Sequence, residues 1–380
     1  MPRVRARAAA LAALGVLSGP DAPAGGGAPA ALDVVVVGGG QAALAVGYYL
    51  RRSGLSYALL DAEAGAGGAW RHAWPSLRLF SPAQWSSLPG WLMPRGADEY
   101  PTRDETLAYL AAYEARYALP VVRPVRVSAV RREGGRLRVE ADAGTWTTRA
   151  VVSATGTWRS PVVPDVPGCA AFGGLLLHSA DYPGPGPFAG RRVIVVGAGN
   201  SGAQIAAELA EVATMTWATR EPPRFLPAHV DGRYLFEQAT ARWQALREGR
   251  PAPASHGLGD IVLVEPVRRA LARGLLQPVP MFARFTTDGV QWPDGREASA
   301  DAVIWATGFR PALAHLDPLG VRDATGRVAV RGTRAVDEPR LWLVGYGDWT
   351  GFASATLIGV GRTARETVRE VGEALGAGTG

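Results

Sequence analysis

The sequence predicts an α/β protein built from two Rossmann-like units, the second inserted into the first. Three observations predict it. Two glycine-rich loops each follow a short β-branched run and open a helical pattern, at Gly38-Gly39-Gly40-Gln41-Ala42-Ala43 and at Gly197-Ala198-Gly199-Asn200-Ser201-Gly202. Each loop is followed 23 residues after its first glycine by a charged residue, Asp61 and Arg220. Two apolar strands with the same Ala-Thr-Gly ending, Val151–Gly156 and Val303–Gly308, stand on either side of the second loop.

The elements follow in order. Asp33–Val37 is a run fit for a strand buried on both faces of a parallel sheet. Leu44, Val46, Tyr49 and Leu50 then give helical spacing, and Tyr57–Leu60 a second strand ending at Asp61. The second unit repeats this pattern: a strand at 191–196, a helix through Ile205 and Leu209, and a strand over Thr214–Thr219. Strands with identical endings before and after that unit mean that the chain leaves the first domain and returns to it. The expected division is 32–158 and 306–375 for the first domain and 159–305 for the inserted one. Proline-rich stretches at 160–167 and 183–187 mark the crossings. Asp288-Gly289 and Asp294-Gly295 mark a meander between Phe285 and Trp305, and a last helix covers Thr363–Leu375. Residues 1–31 carry Arg3, Arg5 and Arg7 before an alanine-rich apolar run, the outline of a secretory signal. The run is short, and the domain behind it needs cytoplasmic nucleotides. A disordered extension of a cytoplasmic protein is therefore the expectation.

The loops assign the chemistry. Gly38 and Gly197 permit the tight turn, and Gly40 and Gly199 let a pyrophosphate approach the backbone. Ala43 and Gly202 are small enough for the helix to pack on its strand. The pyrophosphate then rests on the helix N-terminus, where free N–H groups and the dipole favour negative charge. Asp61 can accept bonds from ribose hydroxyls and would repel a 2′-phosphate, so the first site suits FAD or NAD. Arg220 offers phosphate oxygens a planar fork, so the second suits NADPH.

Composition narrows the rest. All 40 basic residues are arginine, which removes a Walker-type lysine loop and Schiff-base catalysis by a side-chain amine. The net charge of +6 comes without an arginine run interleaved with aromatics, so nucleic acid is not an expected partner. Cys169 is the one cysteine, which excludes a disulfide framework, a zinc cluster and a Cys-x-x-Cys within the chain, and no metal is expected. No apolar run reaches the ~18 residues of a membrane span. The 48 glycines and 29 prolines are dispersed, which means many tight turns and not collagen.

Over about 32–370 the chain resembles the single-component, class B flavin-containing monooxygenases. The most specific string is Phe172-x-Gly174-x-x-x-His178-x-x-x-Tyr182, just before the second glycine loop. Related Baeyer–Villiger enzymes carry Trp-Pro where this chain has Tyr182-Pro183. Gly67-Gly68-Ala69-Trp70 resembles a segment that packs near the flavin, Ala306–Pro311 the second Ala-Thr-Gly segment, and Gly345-Tyr-Gly-Asp348 the Gly-Asp motif that holds the ribityl chain. The string from Trp70 through Ser76-Leu-Arg-Leu-Phe-Ser-Pro82 is most similar to bacterial monooxygenases of arsenical-resistance clusters and, more distantly, to indole-3-pyruvate monooxygenases.

With the loops, this resemblance implies FAD contacts at Gly38, Gly40, Gln41, Ala43, Asp61, Ala62, Gly68, Trp70, Arg78, Val127, Thr155, Gly156 and Asp348. It implies NADPH contacts at Gly197, Gly199, Asn200, Ser201, Gly202, Arg220, Thr307 and Gly308. The implied chemistry is hydride transfer from NADPH to FAD, O2 addition at flavin C4a, and transfer of the distal oxygen to a soft nucleophile such as a trivalent arsenical. The partners are then a small-molecule substrate and O2. No acid–base pair is needed, because the cofactor carries the reaction. Ser81 stands where the family places an asparagine near the flavin, and Ser81 and His72 are the candidate side chains there. Baeyer–Villiger or keto-acid oxygenation, a plain FAD-dependent NADPH oxidase or dehydrogenase, and a non-catalytic redox sensor are the alternatives. A disulfide reductase would need a cysteine pair.

Overall fold

The computed structural model describes residues 31–227, 230, 232–248, 250, 260–351 and 353–376, and among these no helix is long and apolar enough to cross a membrane. The expected N-terminal extension lies outside the described residues except for Ala31.

The chain opens with β1 (Leu32–Val37), α1 (Gln41–Leu50), β2 (Tyr57–Leu60), α2 (Arg103–Arg116), β3 (Val121–Val122), β4 (Val127–Glu133), β5 (Arg136–Ala141) and β6 (Gly144–Ser153). It continues through β7 (Leu175–His178), β8 (Arg192–Val196), α3 (Asn200–Leu209), β9 (Thr214–Thr219), α4 (Gly232–Arg247) and α5 (Glu265–Ala272). Then come β10 (Pro278–Pro280), β11 (Arg284–Phe285), β12 (Gly289–Gln291), β13 (Glu297–Ser299) and β14 (Ala302–Trp305). The last elements are β15 (Val330–Arg331), β16 (Arg334–Ala335), β17 (Leu341–Leu343) and α6 (Val360–Leu375).

The strands form two main sheets. The first runs β15-β16-β17-β6-β1-β2-β3, with β5 antiparallel on β6 and β4 antiparallel on β5. The second, β10-β9-β8-β14-β7, is parallel throughout and is built only from residues between 175 and 305. β11–β13 form the expected antiparallel meander. β1 lies parallel between β2 and β6, which is why its valines face apolar neighbours on both sides: Val34 and Val36 join one core cluster, Val35 and Val37 the other. α6 begins at Val360, a turn before the expected Thr363, and buries Val360, Ala364, Val368 and Val371 on α1's side of the sheet.

The repeated Ala-Thr-Gly ending has a structural cause. β6 pairs with β1 and β14 with β8, so each Ala-Thr-Gly segment lies against its own glycine loop. A Cβ on Gly38 (φ +119°) would sit 2.4 Å from the Ala154 carbonyl oxygen, and one on Gly197 (φ +141°) 2.2 Å from that of Ala306. Only glycine satisfies both the backbone angle and the contact.

Candidate functional site

A cleft of about 430 Å³ opens at the C-terminal ends of β1, β2 and β6. Gly38, Gly40, Gln41, Asp61, Ala62, Gly68, Trp70, Val127, Thr155 and Gly156 all line it, and so does His72. Gln41 joins three of its walls: the Trp70 indole N–H donates to Gln41 Oε1 (3.0 Å), and Gln41 Nε2 donates to the Ala355 carbonyl (2.7 Å). The first turn of α1 carries no acidic residue and no side-chain cap. Its N–H groups stay free for an anion. A methyl on Gly40 would meet only Gly68 Cα, at 3.7 Å. The loop therefore leaves its backbone open, as a bound pyrophosphate requires.

Asp61 closes the end of β2, almost fully buried. Arg123 Nε donates to Asp61 Oδ2 (3.0 Å), while Asp61 Oδ1 faces only the Glu63 amide (3.3 Å). Burial pushes the Asp61 carboxyl up, against the pull of Arg123. Behind the cleft the Tyr346 hydroxyl bonds Ser153 Oγ (2.7 Å) and Thr155 Oγ1 (2.8 Å), and Ser153 Oγ also meets His315 Nε2 (3.1 Å). Burial holds the His315 imidazole at about 4, hence neutral. At the rim Glu63 is held by His72 (3.0 Å) and Arg159 (2.6 Å). Burial alone would raise Glu63, but these partners keep its carboxyl below the ordinary value. Trp158 stacks between His72 and Phe309. Sequence reasoning missed Glu63, Arg123, Trp158, Arg159, His315 and Tyr346. Only Tyr346, inside Gly345-Tyr-Gly-Asp348, lay in a segment already singled out.

The second loop is built on the same plan. Gly202 has room for nothing larger: its Cβ would fall 2.3 Å from the Gly197 carbonyl oxygen. A Cβ on Gly199 meets nothing within 4 Å. Asn200 and Ser201 open α3, where Asn200 ties the loop to the chain beyond α4 by donating to the Asp260 carbonyl (3.0 Å) and accepting from the Val262 amide (2.9 Å). The first turn of α3 again lacks acids. Arg220 is exposed just past β9. The Thr307 hydroxyl donates to the Val162 carbonyl, and the Gly308 carbonyl accepts from Val162 N (2.9 Å) and His178 Nε2 (3.1 Å).

Ala43, Arg78 and Ser81 are not among the residues that line the cleft. Ala43 is fully buried beneath the loop as a packing residue. Arg78 stands away from the cleft, paired with Asp98 at 2.6 Å and donating to the Tyr100 carbonyl. Ser81 is buried outside the cleft lining, its hydroxyl 2.8 Å from that of Ser86. The Asp348 side chain lies outside the described residues.

The fingerprint residues hold the fold together. Phe172 packs on Phe285, and a Cβ on Gly174 would strike the Phe172 ring at 2.3 Å. His178 accepts from Ala180 N at Nδ1 (3.1 Å), which leaves Nε2–H to hold Gly308; burial keeps this imidazole neutral. The Tyr182 hydroxyl donates to Glu208 of α3 (3.3 Å), which also accepts from the Trp74 indole (3.3 Å). One turn along that face, Gln204 bonds the Arg78 backbone at both N and O (3.4 Å each). The string from 70 to 82 is thus where the two sheets' domains dock.

Fold and cleft define a two-dinucleotide oxidoreductase. Residues 35–229 match the family described as pyridine nucleotide-disulphide oxidoreductase. The chain is 55% identical to a flavin-containing monooxygenase from Stenotrophomonas maltophilia, over 90% of this chain and 99% of that one, with a TM-score of 0.83. It is 29% identical to an uncharacterized CzcO-like oxidoreductase from Geobacillus kaustophilus, over 90% of this chain and 98% of the relative. It is 32% identical to an indole-3-pyruvate monooxygenase from Oryza sativa subsp. japonica, over 73% of this chain and 74% of the relative. This chain belongs to the pyridine nucleotide-disulphide oxidoreductase family and, within it, to the flavin-containing monooxygenases, and is an FAD-dependent enzyme.

Proposed function

We propose that this enzyme uses FAD and NADPH to transfer one oxygen atom from O2 to a soft nucleophile, with a trivalent arsenical as the first candidate. The reading is carried by one observation: two glycine loops in one chain, each with an open backbone and an uncapped helix N-terminus, one packed against the Asp61 carboxylate and the other followed, past the end of β9, by the exposed Arg220. FAD, reduced by NADPH, supplies the activation of O2. The residues supply binding, orientation and exclusion of water. Gly38 and Gly40 present backbone to the FAD pyrophosphate, Asp61 accepts from its ribose, and Gln41 and Trp70 fix the cleft wall. Gly199 and the α3 N-terminus receive the NADPH pyrophosphate, and Arg220 its 2′-phosphate. The need for NADPH places the enzyme in the cytoplasm.

A disulfide reductase has no support here. Cys169, the one cysteine, packs beside the Phe172–Phe285 cluster and not in the cleft. The arsenical rests on the resemblance of residues 70–82, of which Trp70 and His72 line the cleft while Trp74 and Arg78 bond α3. A second reading, oxygenation of an aromatic keto acid, rests on the likeness to the rice enzyme. Oxygen uptake with NADPH separates them, in parallel runs with a trivalent arsenical, a thioether and indole-3-pyruvate. The proposal expects the arsenical or the thioether to speed uptake and to leave as its oxide. Acceleration by the keto acid alone would favour the second reading.

A further inference from the structure

Among the described residues, the Arg123 side chain bonds Asp61, which lines the cleft, and Glu114, which does not. Arg123 follows β3, is not among the residues lining the cleft, and its side chain is 14% exposed. Its guanidinium forks onto Glu114 of α2, with Nη1 donating to Oε1 (2.7 Å) and Nη2 to Oε2 (2.9 Å). This two-point contact fixes the plane of the guanidinium, as a lysine at that position could not. Nε donates to Asp61 Oδ2 at 3.0 Å, and Nη2 lies at the same distance from that oxygen. On its other side the same oxygen lies over Gly39, where a Cβ would approach to 2.3 Å. The carboxylate is thus held between the glycine loop and the guanidinium. Oδ1 has one weak amide donor, Glu63 N at 3.3 Å, and retains acceptor capacity for a diol.

We propose that Arg123, braced by Glu114, is the positioning residue that aims Asp61 at the FAD ribose, so that FAD affinity is set in part by a guanidinium outside the cleft. The inference rests on the assignment of Asp61 to that ribose. The charged groups near the Asp61 carboxyl are Arg123, Glu114 behind it, and Glu63, which pairs with Arg159 and Arg71 and meets His72 Nε2. Arg123 is the cation directly on Asp61. Without it, burial and Glu63 would both favour the protonated carboxyl, which cannot accept from two ribose hydroxyls as the carboxylate does.

The test is FAD release from purified full-length holoenzyme, read as free-flavin fluorescence on dilution between pH 6 and 9, for Asp61→Asn, Arg123→Met and the double variant. Each single variant should weaken FAD by about tenfold or more. The Arg123→Met loss should grow as pH falls, and the double variant should be no worse than its weaker-binding parent, because both changes remove one interaction. Arg123→Lys and Glu114→Gln should fall between wild type and Arg123→Met, and they carry the comparison if Arg123→Met does not fold. If Asp61→Asn weakens FAD but the Arg123 and Glu114 variants bind as wild type, the positioning role is wrong and the ribose assignment survives. Losses that multiply in the double variant also overturn the positioning role. An Asp61→Asn protein that retains FAD as wild type does would overturn both.

Discussion

Gly199→Ala separates a binding role from a structural one. Gly199 is the N-cap of α3, with an extended backbone (φ −101°) that alanine adopts freely, and the added methyl would meet nothing within 4 Å. Loss of a glycine N-cap costs roughly 0.5–1 kcal/mol. Reduced freedom of the unfolded chain returns about 0.4–1 kcal/mol. The two nearly cancel, so Tm should move by no more than about 2 °C. The same methyl occupies the space that a pyrophosphate needs in order to reach the loop amides. Losing one or two charge-assisted hydrogen bonds, at about 1.5–3 kcal/mol each, weakens NADPH at least tenfold. Gly202→Ala is the contrast. Its methyl would fall 2.3 Å from the Gly197 carbonyl oxygen, an overpacking cost of about 1–3 kcal/mol against about 1 kcal/mol gained in helix propensity. That variant should lose Tm as well as NADPH. Calorimetric titration of NADPH, bound-flavin absorbance and thermal melts on the three proteins decide the matter. A Gly199→Ala protein that binds NADPH as wild type does, or that loses FAD in parallel, would refute the reasoning.

Two further expectations follow. Arg220→Ala should cut NADPH kcat/KM by roughly 10- to 150-fold and leave NADH nearly untouched. Equal loss with both cofactors, or a wild type that prefers NADH, would remove Arg220 from the 2′-phosphate site. His315 is held at about 4 in the folded chain against an ordinary 6.5. The unfolded chain therefore binds the extra proton first, and the stability conferred by neutral His315 is lost as pH falls from 6.5 toward 4. At the bottom of that window the loss is on the order of 3 kcal/mol. Urea melts of wild type and His315→Gln across pH 4–7 should show a flatter slope for the variant, and parallel slopes would contradict the account.

The strands, glycine loops and inserted topology were legible because each rests on local pattern. Buried β-branched runs gave β1 and β8, and the repeated Ala-Thr-Gly gave the strands that abut the two loops. Asp61 was legible as a residue at a fixed distance from Gly38. Its partners were not, because Arg123 and Glu114 reach it from β3's end and from α2, and their convergence exists only once the sheet is formed. His315 and Arg159 are hidden for the same reason. Arg78 and Ser81 have partners that the sequence did not show. Their place in a family-like string suggested cofactor contact, while packing gave them an ion pair with Asp98 and a hydroxyl pair with Ser86. The sequence reading placed no helix at α2, although Thr102-Arg-Asp-Glu105 is a capping box that the structure forms in both directions.

The central claim is that one atom of O2 reaches an organic or arsenical product at the expense of NADPH. Turnover under 18O2 with the substrate that most accelerates NADPH oxidation tests it directly. The account predicts one labelled oxygen per product molecule, the second atom in water, and product formed in step with the NADPH consumed. An unlabelled product, or hydrogen peroxide equal to the NADPH spent whichever substrate is present, would contradict it and leave an oxidase.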